Sequence, residues 1–474
     1  MRHSMIAVCI LPLAACTVGP DYQRPAMTPD AAGRGHFLRA ADPAYRSTPA
    51  LARWWNGMGD PLMSALIEDA LAHSPTVAQA QARIRETHAS LRTERVDRLP
   101  NISASGTYLR ASLPASGEGE TGSDTMEIYN LGGMASWEPD LFGGGRRAVE
   151  KAGATLEQRD AELADTQVSL SAQVAQAYIA LRDGQARLKI QSESVALMQR
   201  SLTLYQQRRD AGTASTLDVE RMRNQMEAAE ADISPLMVDI DDRLDELAIL
   251  TGREPGALDA RLSEASAVPL PPAEVAIGDP AALLAQRPDI RVAERALAAS
   301  TAQIGVDKAK SFPSLKFQGL IGLGGSQPED VLDPDKLTTL LAPMLSWSFL
   351  DFGRNRAAVS RSEAQRDAAE ADYRQTILAA LKDAEGSLSR FARMRLRLAR
   401  LLRAEEAASR AAQLNGQRVA AGTLSLIDQL DVERQQRAAA MALSQGRAQV
   451  ADSYVLVQKS LGLGWAVPTG QADR

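Results

Sequence analysis

The sequence predicts a mainly α protein with a membrane β-barrel component, built from a duplicated helix-strand-strand-helix-helix repeat. Three observations carry this. The 474 residues hold only 7 Phe, 8 Tyr and 5 Trp, yet 45% are apolar and 24% charged, a mixture typical of long helices packed through small side chains rather than of several globular cores. Short landmarks recur in one order along the chain at an almost constant spacing. Two long stretches lack proline and carry apolar residues every seventh position. The net charge of -6 gives no general electrostatic pull on nucleic acid.

The duplication is read from six landmarks. Ser74-Pro75-Thr76-Val77 recurs as Arg287-Pro288-Asp289-Ile290, and Leu99-Pro100-Asn101 as Phe312-Pro313-Ser314, both 213 residues on. Trp137 matches Trp347, Phe142-Gly143 matches Phe352-Gly353, Ala211-Gly212-Thr213 matches Ala421-Gly422-Thr423, and Gly252 matches Gly462, all 210 residues on. The expected organisation is a signal peptide over 1–15, an extended N-terminal segment over 16–59, repeat one over 60–262, a Pro-rich linker over 263–280, repeat two over 281–465 and a tail over 466–474. Pro269, Pro271, Pro272 and Pro280 mark the linker.

Within repeat one, Pro75 suits a first helical turn and residues 76–98 have helical composition, with Pro100 ending the helix. Residues 102–113 and 127–137 read as strands, the second placing Tyr129, Leu131, Gly133, Ala135 and Trp137 on one face. Their counterparts place Leu315, Phe317, Gly319, Ile321 and Leu323 on one face, and Leu341, Leu345, Trp347 and Phe349 on another. Residues 146–210 then carry Val174, Leu181, Leu188, Val195 and Leu202 at heptad spacing. Residues 354–420 carry Ile377, Ala384, Phe391 and Leu398, with Arg395 interrupting the companion row. At 1.5 Å per residue each helix measures about 98 Å, so it needs partners along its whole length. Helices 76–98 and 214–251, stacked end to end, match it in repeat one, and 289–311 with 425–461 match it in repeat two. Pro235 should kink or divide the 214–251 helix.

Four strands cannot close a membrane barrel, because the smallest bacterial barrels have eight. Open strand edges are not tolerated in lipid, so several chains must share one barrel. Periodicity alone does not select three copies over two or four.

At the N-terminus, Arg2 and His3 precede an apolar run from Met5 to Ala15, too short to span a bilayer but suited to a signal peptide. Leu13-Ala14-Ala15-Cys16 resembles the bacterial lipobox, where cleavage frees Cys16 for acylation, anchoring the chain without a spanning helix. Thr17 follows, where lipoproteins kept at the inner membrane usually carry Asp, so the expected site is the cell outer membrane. Cys9 leaves with the signal peptide, so no disulfide can form within the processed chain.

Nearly the whole mature chain resembles the TolC-like outer membrane efflux channels, in particular their OprM-like (NodT-type) lipoprotein branch, found with resistance-nodulation-division pumps. The most specific pieces are Cys16-Thr17-Val18-Gly19-Pro20-Asp21-Tyr22 with Arg24-Pro25, Arg287-Pro288-Asp289-Ile290, and Phe312-Pro313-Ser314-Leu315. The resemblance implies a homotrimer with a 12-stranded β-barrel in the outer membrane and a long periplasmic α-barrel. It further implies a passive exit duct that docks to a periplasmic adaptor and an energised inner-membrane pump.

The turns at Gly212, Thr213, Ala214 and Ser215, and at Gly422, Thr423, Leu424 and Ser425, lie at the helix ends farthest from the strands. They also suit plain helix C-caps. By resemblance they form the periplasmic tips that contact the adaptor, and Asp428 and Asp431 match acidic rings at the constriction. One inward carboxylate per chain becomes a ring on assembly, attracting cations while its members repel one another. Asp218 is the repeat-one equivalent of Asp428, although no second aspartate follows it. Where some relatives place an Arg after the tip turn, this chain has Leu424.

Gly143-Gly144-Gly145-Arg146-Arg147 lacks the Gly-Lys-Ser/Thr ending of a phosphate loop and suits a strand-to-helix turn. His36, His73 and His88 have no metal-ligand spacing, and no hydrolase signature is present. The expectation is no enzyme, no cofactor and no metal. Two alternatives to small-molecule efflux are a duct for protein secretion and a lipid-tethered periplasmic coiled coil without a pore.

Overall fold

The computed structural model describes residues 17–25, 33–48, 52–114 and 123–465. In chain order the elements are β1 (Tyr45–Arg46), α1 (Pro61–His73), α2 (Pro75–Val96), β2 (Asn101–Pro114), β3 (Ser123–Trp137), α3 (Gly144–Asp210), α4 (Thr216–Ala231), α5 (Ile233–Leu250) and α6 (Asp259–Leu262). They continue with β4 (Val275–Ala276), α7 (Pro280–Gln286), α8 (Pro288–Ala309), β5 (Ser314–Gly325), β6 (Leu337–Ser346), α9 (Arg354–Ala420) and α10 (Leu426–Ser460). Short 3-10 turns cover Trp54–Met58 and the β5–β6 connection. The described residues form two compact units, one from 17–25, 83–159 and 292–373, the other from 33–48, 52–82, 160–291 and 374–465.

The first unit holds an open antiparallel sheet in the order β2-β3-β5-β6. Its register puts Ile102, Tyr129, Leu131, Trp137, Phe317, Ile321, Leu341 and Leu345 on one face. Ser103, Ser105, Thr107, Asn130, Lys316, Gln318 and Thr338 share the other with Leu109, Ile128, Met134, Leu320, Leu340 and Met344. The alternation of apolar and polar residues that a strand between lipid and an aqueous lumen requires is clearest in β2 from Ile102 to Thr107, whereas β6 carries apolar residues on both faces. β6 starts at Leu337 and ends at Ser346, earlier than the alternation of Leu341 to Phe349 suggests. Ser314, the first residue of β5, pairs with Ser346, so Trp347 and Phe349 have no strand partner. Pro343, which cannot donate to a ladder, lies in β6, an edge of the sheet within one chain. Where β3 meets β5, Gly132 faces Gly322, and a Cβ at Gly132 would lie 2.5 Å from the Gly322 Cα, so only glycine allows this approach.

On α8, the buried Asp307 accepts hydrogen bonds from Gln303 Nε2 and Lys310 Nζ at 2.8 Å and from Ser362 Oγ of α9. Burial alone would raise its pKa, but these donors outweigh it and hold the carboxyl down to about 2, below the ordinary 3.8. A depressed carboxylate stabilises the fold fully above about pH 4 and loses that contribution as the pH falls through about 2. Asp307→Asn should therefore cost about 2 kcal/mol at pH 7. The gap from wild type in denaturant titrations should close between about pH 4 and pH 2, and a gap that does not change with pH would count against this role.

In the second unit, Met63, Leu66 and Ile67 of α1, Val174 and Leu181 of α3, and Ile377, Ala384, Leu388 and Phe391 of α9 are all but inaccessible to solvent. The heptad rows thus become the seam, while Leu188, Val195 and Leu398 are half-buried and Leu402 is exposed. Arg395, which interrupts the row, pairs with Asp42 and lies 5.8 Å from the Phe391 ring centroid. Trp54, Trp55, Tyr454, Phe391 and Tyr45 form a chain of ring contacts, and the Tyr45 hydroxyl donates to the Leu388 carbonyl at 2.6 Å.

The long helices follow the sequence reading within two residues, and α2 and α8 stop two residues earlier than the spacing suggests. The 214–251 helix is divided at Asp232, three residues before Pro235, because a proline ring collides with the carbonyl four residues back. Its counterpart α10 has no proline and is continuous. Several elements were not legible from periodicity. Helices α1 and α7 begin at Asp60-Pro61 and Asp279-Pro280, each aspartate capping the following turn. Within the extended segment and the linker, β1 and β4 pair in parallel, with Val275 N–H donating to Ala44 O at 2.8 Å.

Candidate functional site

Both tip turns share one local sequence, Ala-Gly-Thr-x-Ser-x-x-Asp, and one geometry. Gly212 and Gly422 have φ of 72 and 70, the left-handed region that glycine adopts freely. The Gly212 N–H donates to Arg209 O at 2.9 Å and the Thr213 N–H to Arg208 O at 2.8 Å; Gly422 and Thr423 repeat this on Val419 and Arg418 at 2.9 and 3.0 Å. This double bond pattern closes the last helical turn. Each threonine hydroxyl adds a bond to the same arginine carbonyl. Ala214 and Leu424 bridge to the next cap and are half-buried.

Ser215 and Ser425 then cap α4 and α10. The Asp218 N–H donates to Ser215 Oγ at 3.1 Å, while the Asp218 carboxylate accepts from Ser215 N–H at 3.1 Å and from its hydroxyl at 2.7 Å. The Ser215 hydroxyl and N–H hold the Asp218 carboxyl below its ordinary range. Asp428 repeats this in part, donating its N–H to Ser425 Oγ at 3.2 Å and accepting from that hydroxyl at 2.5 Å. Sequence reading took these two aspartates only as acids. The Ser-x-x-acid spacing of a capping box was the signal that gives them a second role.

Asp431 is different. It is about half exposed, outside the cap, and accepts from Arg434 at 2.6 Å and Gln435 at 3.0 Å. Arg434 also donates to Gln225 Oε1 on α4 at 3.3 Å, so it ties the first turns of α10 to the repeat-one helix. Asp428, Asp431 and Arg434 line a recess of about 220 Å³ together with Met198, Tyr205 and Met222. Those three pack against a small apolar cluster of Leu202, Val219 and Met226. The acids therefore sit beside a soft, methionine-rich seam between α3, α4 and α10.

The N-terminal segment has a built seat. Arg147, one of the Gly-Gly-Gly-Arg-Arg residues, is buried and donates to Val18 O and Gly19 O at 3.2 Å and to Asp21 at 2.6 Å. Tyr22 donates to Glu294 at 2.7 Å. A Cβ at Gly19 would lie 2.5 Å from the Gly305 Cα, and Gly19 has φ of 95. The glycine run itself is a strand-to-helix turn, with Asp140 accepting from the Gly145 and Arg146 N–H groups. Cys16 lies outside the described residues. Arg287 forks onto Asp289 and donates to Ser460 O at 2.7 Å, tying the start of α8 to the end of α10. No His, Cys, Asp and Glu group suited to a metal is found among the described residues.

A model of the outer membrane efflux protein family matches residues 66–253 and 280–463. The toluene efflux pump outer membrane protein TtgC of Pseudomonas putida is 30% identical, covering 99% of this chain and 97% of TtgC. The outer membrane protein OprJ of Pseudomonas aeruginosa is 27% identical, covering 96% of this chain and 94% of OprJ. The solved structure of the outer-membrane channel OprN superposes with a TM-score of 0.86 at 33% identity, covering 95% of this chain and all of that one. The duplicated repeat, the sheet order and the paired tip turns thus occur in a chain of the outer membrane efflux protein family, and the protein is the outer membrane exit duct of an efflux system.

Proposed function

We propose that the chain works as a homotrimer that passively conducts small toxic compounds or drugs, received from a periplasmic adaptor and an inner-membrane resistance-nodulation-division pump. One observation carries this most directly. Each chain holds an open four-stranded antiparallel sheet with two unpaired edges, and each strand pair leads into a helix of 67 residues ending in a capped tip turn. Three such sheets supply twelve strands for one closed barrel, and the helices, about 100 Å long, supply its periplasmic extension. The repeats run over 60–262 and 281–465.

Gly212 to Ser215 and Gly422 to Ser425 form the adaptor-contacting tips in this reading. Asp428 and Asp431, with Asp218 in repeat one, form the periplasmic gate, where facing carboxylates select cations and resist close packing. Adaptor binding favours the open state by contacting it better than the closed one. Cys16 carries the lipid that holds the mature N-terminus at the outer membrane. Intact-mass analysis of the mature chain should find an acylated Cys16, and an unmodified N-terminus would remove the anchor.

A deletion strain tested on a compound panel, with its secreted proteins profiled in parallel, tests the reading. Increased sensitivity with unchanged secretion is expected. Lost secretion with unchanged sensitivity would make the chain a protein-export duct instead.

A further inference from the structure

The recess in the seam between α3, α4 and α10 has no equivalent elsewhere in the duplicated chain. Its volume of about 220 Å³ is too small for a whole drug-sized molecule but admits one ring with a charged head. The buried Leu197 and Leu430 line it beside the half-buried Met198, Tyr205 and Met222. Shifted by the repeat offset of 210 residues, those last three become Ala408, Asn415 and Val432, so the equivalent seam offers neither an aromatic ring nor a thioether.

Its charge is as local as its lining. Asp428 and Asp431 supply two carboxylates and Arg434 one guanidinium, which leaves the recess with one negative charge in excess. Asp431 is paired with Arg434 at 2.6 Å, whereas Asp428 accepts from the Ser425 hydroxyl and has no ion pair among the described residues. In repeat one the equivalent of Asp431 is Arg221, and the equivalent of Arg434 is Asn224. The acid pair beside an apolar lining is therefore not a by-product of the duplication.

An apolar lining with excess negative charge fits one chemical class. Resting on the assignment of Asp428 and Asp431 to the periplasmic gate, we propose that the recess binds organic cations whose charged centre adjoins an apolar ring or chain, and that cargo of this class pauses there on its way out. The apolar part packs against Met198 and Met222, whose thioethers adapt to its outline, while the cationic centre lies by the Tyr205 ring and the two carboxylates. Arg434 is the chain's own occupant of the anionic end. Its pair with Asp431 is exposed and contributes little, so an organic cation displaces it and loosens the contact that Arg434 makes with Gln225 Oε1 on α4. A cation without an apolar part meets the same carboxylates but gains nothing from the methionines.

Titration of the full-length protein in detergent with benzyltrimethylammonium and, separately, with tetramethylammonium, followed by saturation-transfer NMR at one ionic strength, tests this. The benzyl ion should bind about ten-fold more tightly than the tetramethyl ion, because only it buries a ring. Met222→Gln should abolish that advantage and Met222→Leu should keep it, whereas Arg434→Gln should tighten binding of both ions several-fold by removing the internal competitor. Equal binding of the two ions, or an advantage that survives Met222→Gln, overturns the recess and leaves the gate standing. An advantage lost equally in Met222→Leu would mean that the position acts through packing of the tip, and it too counts against the recess. Binding that Arg434→Gln leaves unchanged overturns the competition. If the benzyl ion binds as expected while the Asp428→Ala, Asp431→Ala double variant keeps its cation selectivity in planar bilayers, the recess stands and the gate falls.

Discussion

Phe391→Ala lowers stability to denaturant by about 3–5 kcal/mol, the cost of emptying a site that cannot collapse. The ring is completely buried and stands between Tyr45 and Tyr454, with centroids 6.1 and 6.0 Å away. Aromatic pairs at such distances add to the area term. The Arg395 guanidinium lies over the same ring and reaches Asp42, so truncation also loosens the strap that binds the N-terminal segment to α9. Phe391→Leu, which keeps most of the volume, should cost less than about 1.5 kcal/mol. Denaturant titration followed by circular dichroism in detergent measures both. Equal losses for the two variants would mean that the cluster responds to any change of shape and that ring contacts contribute little.

Replacing Asp428 and Asp431 together by alanine raises single-channel conductance in planar bilayers and weakens cation selectivity. On the proposed gate, the charge effect follows from one carboxylate per copy meeting its equivalents around a narrow throat. The structure separates two contributions. Asp428 accepts from Ser425 in the helix cap, so its loss also frays the first turn of α10, an effect of about 1 kcal/mol. Asp431 makes no cap contact and pairs with Arg434, an exposed pair worth little by itself. Asp431→Asn should therefore reduce selectivity while leaving the turn intact. If the double variant leaves both conductance and selectivity unchanged, the gate lies elsewhere.

Most of the architecture was legible because its signals are long. Seven-residue rows such as Val174, Leu181 and Leu188 run through 67-residue helices without proline, and no short-range effect can override them. The hairpins were legible from two-residue alternation, and Leu315 to Leu323 lies within β5 as expected. What escaped the sequence depends on distant partners. β1 and β4 are two residues each and exist because Tyr45 meets Val275. The end of β6 is set by where β5 begins. At the tips Ser215 and Ser425 were read only as adaptor contacts and Asp218 and Asp428 only as acids, so their joint part in capping was missed. The exposure of Phe352 was not legible, since Phe142, its repeat-one counterpart, precedes the same glycine yet stacks on Phe312.

The joint at Asp232 makes the two halves of the chain mechanically unlike. The turns at Gly212 and Gly422 are capped alike, yet one continues into a rod of 16 residues and the other into a rod of 35. A push on the repeat-two tip is carried along an unbroken lever, whereas a push on the repeat-one tip can be absorbed by bending after about four turns. Compliance is therefore built into alternate arms, and the stiff ones are those that bear Asp428 and Asp431.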